Sequence, residues 1–265
     1  MEQDCRTTES SPPNQVARRI GLIGDVHAEH ARLETAISAL LRAGADTLLC
    51  TGDLCDGPGD IERCIELLLT HNVKTVRGNH DRWMLDDRVR HIQDAHKRCE
   101  LSKTAIRYLS TLPTQRNIDT SAGRLLLCHG VLDNDLGKVW PGSERMPPER
   151  SKGLDKLIKH GGYQLFVNGH MHYRVVLDYP GLTHINAGTL SPRHRPGVTL
   201  MNCDTNALQV FEFETSADDS RPADPRCLTH TKTVALTDSS RYLWTDSQAF
   251  DSPTEPHRIP LTLYA

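Results

Sequence analysis

Short apolar runs punctuate this chain, and five of them end in glycine or in a cluster of metal-ligating side chains. Ile20–Ile23 precedes Gly24-Asp25-Val26-His27, and Thr47–Cys50 leads to Gly52-Asp53. Lys74–Arg77 precedes Gly78-Asn79-His80-Asp81, Leu125–Cys128 precedes His129, and Gln164–Val167 precedes Asn168-Gly169-His170-Met171-His172. Runs of this length bounded by glycine and polar residues predict buried strands that feed loops. Between them the apolar period changes. Leu33, Ala36, Ile37, Leu40 and Leu41 recur at helical spacing before Gly44, as do Ile61, Cys64, Ile65 and Leu68 before Asn72. This βαβαβ opening implies parallel strands joined by right-handed crossovers.

Residues 83–112 are expected to be a helical insert stopped by Pro113, and Leu154–His160 a short helix ended by Gly161-Gly162. Beyond His172, Arg174–Asp178, Thr183–Asn186, Val198–Asp204 and Ala207–Glu214 are strand-like and joined by turns, which predicts an antiparallel meander. Residues 1–16 are expected to be a disordered leader. Residues 17–215 form the folded domain, and the Ser/Thr/Asp/Pro-rich 216–265 a polar tail, loosely docked or disordered.

Composition narrows the classes. The 265 residues suffice for a substantial core, and 37% hydrophobic with 25% charged residues is the balance of a globular protein. No apolar run approaches the roughly 20 residues that span a bilayer, and the polar start has no signal-peptide core. A net charge of −3 without a dense Lys/Arg block argues against a dedicated nucleic-acid surface. The eight cysteines contain no C-x-x-C pair, and Cys50, Cys64 and Cys128 sit in apolar runs as small hydrophobes. A reducing cytoplasm is the expected setting.

In an open α/β sheet, ligands bind at the carboxyl ends of the strands. Five such ends carrying Asp25, His27, Asp53, Asn79, His129, His170 and His172 imply one shared metal site. Mixed imidazole and oxygen donors suit Mn, Fe, Zn, Ni or Co better than Ca or Mg. Seven donors are too many for one tetrahedral ion. They are natural for two ions roughly 3.5–4 Å apart sharing a bridging carboxylate.

The blocks Gly24-Asp25-x-His27, Gly52-Asp53-x-x-Asp56, Gly78-Asn79-His80-Asp81, His129-Gly130 and Gly169-His170-x-His172 together resemble the calcineurin-like metallophosphoesterase superfamily over residues 20–215. The resemblance implies an α/β fold, a four-layer αββα sandwich with two mixed sheets. It implies Asp25, His27, Asp53 and His172 around a first divalent ion, and Asp53, Asn79, His129 and His170 around a second, manganese being the first expectation. His80 resembles the histidine that protonates or stabilises the leaving oxygen, with Asp56 orienting it.

The chain departs from the protein-phosphatase branch at Asp56-Gly57-Pro58, where that branch carries Arg-Gly after the second aspartate, and at Asp81 in place of Glu. Its length and the Asn186-Ala187-Gly188-Thr189 turn look more like small bacterial phosphodiesterases. The expected reaction is hydrolysis of a phosphodiester in a phosphorylated small molecule or nucleotide, by in-line attack of a metal-bridging hydroxide. A phosphomonoesterase acting on phosphoprotein or nucleotide is the alternative, and a non-catalytic scaffold on the same fold a third reading. Arg82 and Arg193 are candidate phosphate contacts, since a guanidinium forks well onto phosphate oxygens. The 83–112 insert and Gly137–Pro148 are expected to shape the rim.

Overall fold

The computed structural model describes residues 16–140, 151–214, 224–236 and 243–244. The 1–15 part of the expected leader and the 141–148 part of the expected rim lie outside them. Two six-stranded sheets carry the fold. The first contains β1 (Arg19–Ile23), β2 (Thr47–Cys50), β3 (Lys74–Thr75), β9 (Gly197–Asn202), β10 (Ala207–Phe213) and β11 (Leu228–Ala235), in the order β11-β10-β9-β1-β2-β3. The second contains β4 (Gln115–Thr120), β5 (Gly123–Cys128), β6 (Leu165–Asn168), β7 (Arg174–Tyr179), β8 (Leu182–Ala187) and β12 (Leu243–Trp244), in the order β12-β7-β8-β6-β5-β4. The helices are α1 (His30–Arg42), α2 (Ile61–Thr70), α3 (Asn79–Leu85), α4 (Lys103–Thr111) and α5 (Lys152–His160).

Three apolar cores separate four layers, and the period of two along each strand explains how. Leu48 and Cys50 of β2 face Leu33, Ile37, Leu40 and Leu68 of the first helical layer, while Leu49 faces the other way. Leu49 joins Ile20 and Leu22 of β1, Leu125 and Leu127 of β5, and Leu165 and Val167 of β6 between the two sheets. Leu126, Cys128 and Phe166 turn outward to pack under Leu154 and Leu157 of α5. Strands buried on both faces must be apolar at consecutive positions, which is why they read as unbroken runs. This is the αββα sandwich.

Four expectations need correction. The segments taken for one meander divide between the sheets: β7 and β8 form a hairpin in the second, and β9 crosses to pair antiparallel with β1 in the first. The crossing follows from the Asn186–Thr189 turn, where Asp25 N donates to Gly188 O (3.1 Å) and Leu190 N to Asp25 O (2.8 Å). The insert is not one helix over 83–112. α3 begins at Asn79 inside the third motif, because Asp81 accepts from Gly78 N (2.9 Å) and caps the helix start. It stops at Leu85, and Asp87, Val89 and Asp94 then take left-handed backbone before α4. The expected third strand over Lys74–Arg77 pairs only at Lys74–Thr75. Within the expected tail, Leu228–Ala235 adds an edge strand to β10 and Leu243–Trp244 pairs with β7.

Both parallel sets, β1-β2-β3 and β8-β6-β5, end at the same edge of the sandwich. The site lies there. Among the described residues no helix is long and apolar enough to cross a membrane.

Candidate metal centre and its histidine

Asp25, His27, Asp53 and His172 each bring a ligand atom within 4.8 Å of the others. All follow strand ends, Asp25 and His27 after β1, Asp53 after β2, and His172 after β6. His27 Nδ1 lies 3.2 and 3.0 Å from the carbonyls of Cys55 and Asp56, so it carries the proton and leaves Nε2 a bare lone pair. That Nε2 lies 3.0 Å from Nε2 of His172, which is itself 3.3 Å from Asp25 Oδ2. Burial pushes His27 down to about 4, keeping the neutral imidazole a metal needs.

A second set of donors adjoins the first. His129 Nδ1 donates to Thr51 O (2.8 Å), and its Nε2 lies 2.9 Å from Asn79 Oδ1 and 3.3 Å from Asp53 Oδ2. Those three atoms are all electron-rich when His129 is neutral, while buried Asn79 Nδ2 has no partner. Positive charge is what such a cluster requires. Burial opposes a charged imidazole at His129, yet the carboxylates of Asp53 and Asp25 raise it to about 10. Burial, the largest single effect, would likewise raise the carboxyls of Asp53 and Asp25, but His129 together with His172 at Asp25, and with His80 and His27 at Asp53, holds both below the usual range. The His170 ring stands 5.4 Å from that of His129. The donor set therefore fits divalent metal, with Asp53 shared between the two groups.

The remaining carboxylate oxygens are occupied. Asp25 accepts from Thr51 Oγ1 and from His170 N, both at 2.8 Å, and Asp53 Oδ1 accepts from His80 N (2.8 Å). The backbone is bent to allow this. His27, Asp53, Asp56, His170 and His172 all have φ between 45° and 68°, a conformation costing a non-glycine residue on the order of 1–3 kcal/mol. Gly78 is required for a different reason: a Cβ there would strike Asp53 Oδ1 and its amide nitrogen.

His80 stands beside these donors, its ring 4.9 Å from that of His27. Its Nδ1 lies 2.8 Å from Oδ2 of Asp56, whose side chain is almost wholly buried. Burial pulls His80 down, but the hydrogen bond to Asp56 and the charge of Asp53 win, and its pKa is raised. Arg82 and Arg193 are engaged elsewhere. Arg82 forks onto Asp135 (2.6 and 2.9 Å), and Arg193 reaches Asp94 (2.8 Å).

Several positions matter that the pattern of strands did not single out. Asp81 also accepts from Leu54 N and Cys55 N (2.8 and 3.1 Å), tying the second loop to the third. Its place three residues past Gly78 was the available signal. Asn168 sits behind the histidines as a structural link, its Nδ2 donating to Gly130 O (3.0 Å) and its Oδ1 accepting from His184 and Asn186 (2.8 and 2.9 Å). Arg90 and His96, which grip Asp56, lie in irregular chain and carried no signal.

The sequence model of the calcineurin-like phosphoesterase superfamily domain matches residues 19–207. This chain belongs to that superfamily. Two solved structures share its fold. A metallophosphoesterase from Sphaerobacter thermophilus is 22% identical, with a TM-score of 0.55 over 76% of this chain and 89% of its own. A hypothetical protein, PH1004, from Pyrococcus horikoshii OT3 is 16% identical, with a TM-score of 0.60 over 77% of this chain and 90% of its own.

Proposed function

We propose that this chain hydrolyses phosphodiesters, with His80 as the proton donor to the leaving oxygen. The observation that carries the reading is the Asp56–His80 contact set directly against the metal donors. Two divalent ions, manganese first among them, would be held by Asp25, His27, Asp53 and His172 and by Asp53, Asn79, His129 and His170; they would supply Lewis acidity toward the phosphoryl group and activate water.

The chain's own residues do the rest. Asp56 holds His80 by Nδ1, which leaves Nε2 as the nitrogen able to give a proton. The raised pKa of His80, held up by the hydrogen bond to Asp56 and the charge of Asp53 against burial, favours the protonated ring. Asp53 fixes the start of α3 through His80 N, so the metal donors and the proton donor share one anchor.

A diester is favoured over a monoester by charge. Arg82, Arg90 and Arg193 each have a carboxylate partner, so these cations are already compensated around the centre. A monoanionic diester needs less positive charge than a dianionic monoester. The substrate is then a phosphorylated small molecule or nucleotide, handled in the cytoplasm, a setting that suits the cysteines among the described residues, all of which are free thiols.

The test is manganese-loaded protein assayed on matched aryl diesters and monoesters. Faster diester cleavage, lost in Asp53→Ala, is expected. A monoester preference would overturn the substrate assignment, and inertness toward both would leave only a binding role.

A further inference from the structure

Asp56 is the most heavily bonded carboxylate near the centre, and most of its partners come from outside the motifs. Its Oδ2 faces His80 Nδ1 and also accepts from Arg90 Nη2 (3.0 Å). Its Oδ1 accepts from Arg90 Nη1 (2.8 Å) and from His96 N (3.0 Å). The backbone returns the contact, Asp56 N donating to His96 Nδ1 at 2.8 Å. Arg90 itself is fixed at two further points, since Nη1 also donates to His96 O (2.7 Å) and Nε to Arg88 O (2.6 Å). Its side chain is only 14% exposed and that of Asp56 1%.

From this we propose that Arg90, locked by His96, is a positioning residue for His80, acting through Asp56. The inference rests on the phosphoesterase reading above for the role of His80. The physical argument is one of planes. A lone carboxylate paired to one imidazole can turn about its Cβ–Cγ bond and swing the ring with it. A guanidinium forked onto both oxygens fixes the plane of that carboxylate, and so fixes the line along which His80 Nδ1 is held. The ring's other nitrogen is thereby aimed.

The arrangement also explains why the 86–97 stretch is irregular yet ordered onto the site. Its left-handed residues Asp87, Val89 and Asp94 turn the chain so that Arg90 and His96 reach back to a single carboxylate. A continuous helix over those residues would carry the two side chains away on its own axis. The segment between α3 and α4 thus completes the catalytic histidine, a role beyond shaping the rim.

The test uses the full-length, manganese-loaded chain in a double-mutant cycle of Arg90→Ala and His80→Ala, with Arg90→Lys as the conservative variant. Aryl diesters of differing leaving-group acidity are the substrates, and nitrogen-edited NMR of the histidine rings is recorded in parallel on protein loaded with diamagnetic zinc, because manganese would broaden resonances this close to the centre. Arg90→Ala is expected to lower kcat by about 10–100-fold, with KM within about threefold. The loss grows as the leaving group becomes poorer, and the same substitution costs less than about twofold when His80 is already Ala. Arg90→Lys recovers only part of the rate, because an ammonium cannot fork. The His80 Nδ1–H resonance moves in Arg90→Ala while metal content stays at the wild-type level.

Additive losses in the cycle, a change in KM alone, or an unmoved His80 resonance in a folded variant would overturn the proposal. Wild-type protein inert toward every ester would remove the phosphoesterase reading instead. The ring resonance then decides by itself whether Arg90 sets His80.

Discussion

The Nε2 atoms of His27 and His172 meet at 3.0 Å although 145 positions separate them in the chain. His27 follows β1 of one sheet, and His172 follows β6 of the other. With His27 Nδ1 committed to two carbonyls, its Nε2 presents a lone pair to its neighbour. A cation between the two rings would tie the two sheets together.

Metal should therefore stabilise the whole fold. Manganese at about 100 times its dissociation constant adds roughly 2.7 kcal/mol to a native state that alone binds it. For a domain of this size that amounts to about 5–10 °C in Tm. Calorimetry of metal-stripped and reloaded protein measures it, and identical melting curves would show that the donors hold no ion.

His80→Ala should retain both ions and lose about 10²–10⁴-fold in kcat on a diester with a poor leaving group. Elemental analysis alongside steady-state kinetics separates the two effects. Loss of metal together with activity would mean that His80 holds the site rather than the proton.

The fold should weaken in mild acid through His184. Its Nε2 donates to Asn168 Oδ1, its Nδ1 has no partner, and burial pushes it down to about 3. The unfolded chain takes up this proton near pH 6.5, the folded chain only near 3. Stability is thus complete above about 6.5 and falls by up to about 1.4 kcal/mol per unit as pH drops toward 3. Urea titrations at pH 7 and pH 5 compare wild type with His184→Gln, which has no proton to gain. The gap between the two pH values should narrow by about 2 kcal/mol in the variant, and an unchanged gap would clear His184 of the effect.

Gly78→Ala should damage metal binding through backbone contact alone. The added methyl strikes Asp53, one of the four clustered donors, and overpacking of this kind costs about 1–3 kcal/mol. Isothermal titration with manganese should give an affinity at least about tenfold weaker. Wild-type affinity would mean that the loop can give way.

Local chemistry was legible because it is local. A run such as Leu125–Cys128 must be buried on both faces, and Asp25-x-His27 at a strand end already names the donors. Asp56 and His80 were reached only through the resemblance that the motifs carry, and the structure sets their side chains 2.8 Å apart. The strand run and the Asp25-x-His27 pair depend on near neighbours and on alternation along one strand, whereas the Asp56–His80 contact joins two motifs 24 positions apart.

What only the tertiary structure decided depends on chain that returns from a distance. That β9 would leave the apparent meander for the other sheet rests on the hydrogen bonds between Asp25 and the Gly188–Leu190 turn, not on any property of residues 197–202 themselves. That Arg82 would face Asp135, and that Arg90 and His96 would close on Asp56, depends on irregular backbone with no period to read. Periodicity reports which face of an element is buried. It is silent about which distant side chain fills the last lone pair of a buried carboxylate, because that choice is made by packing.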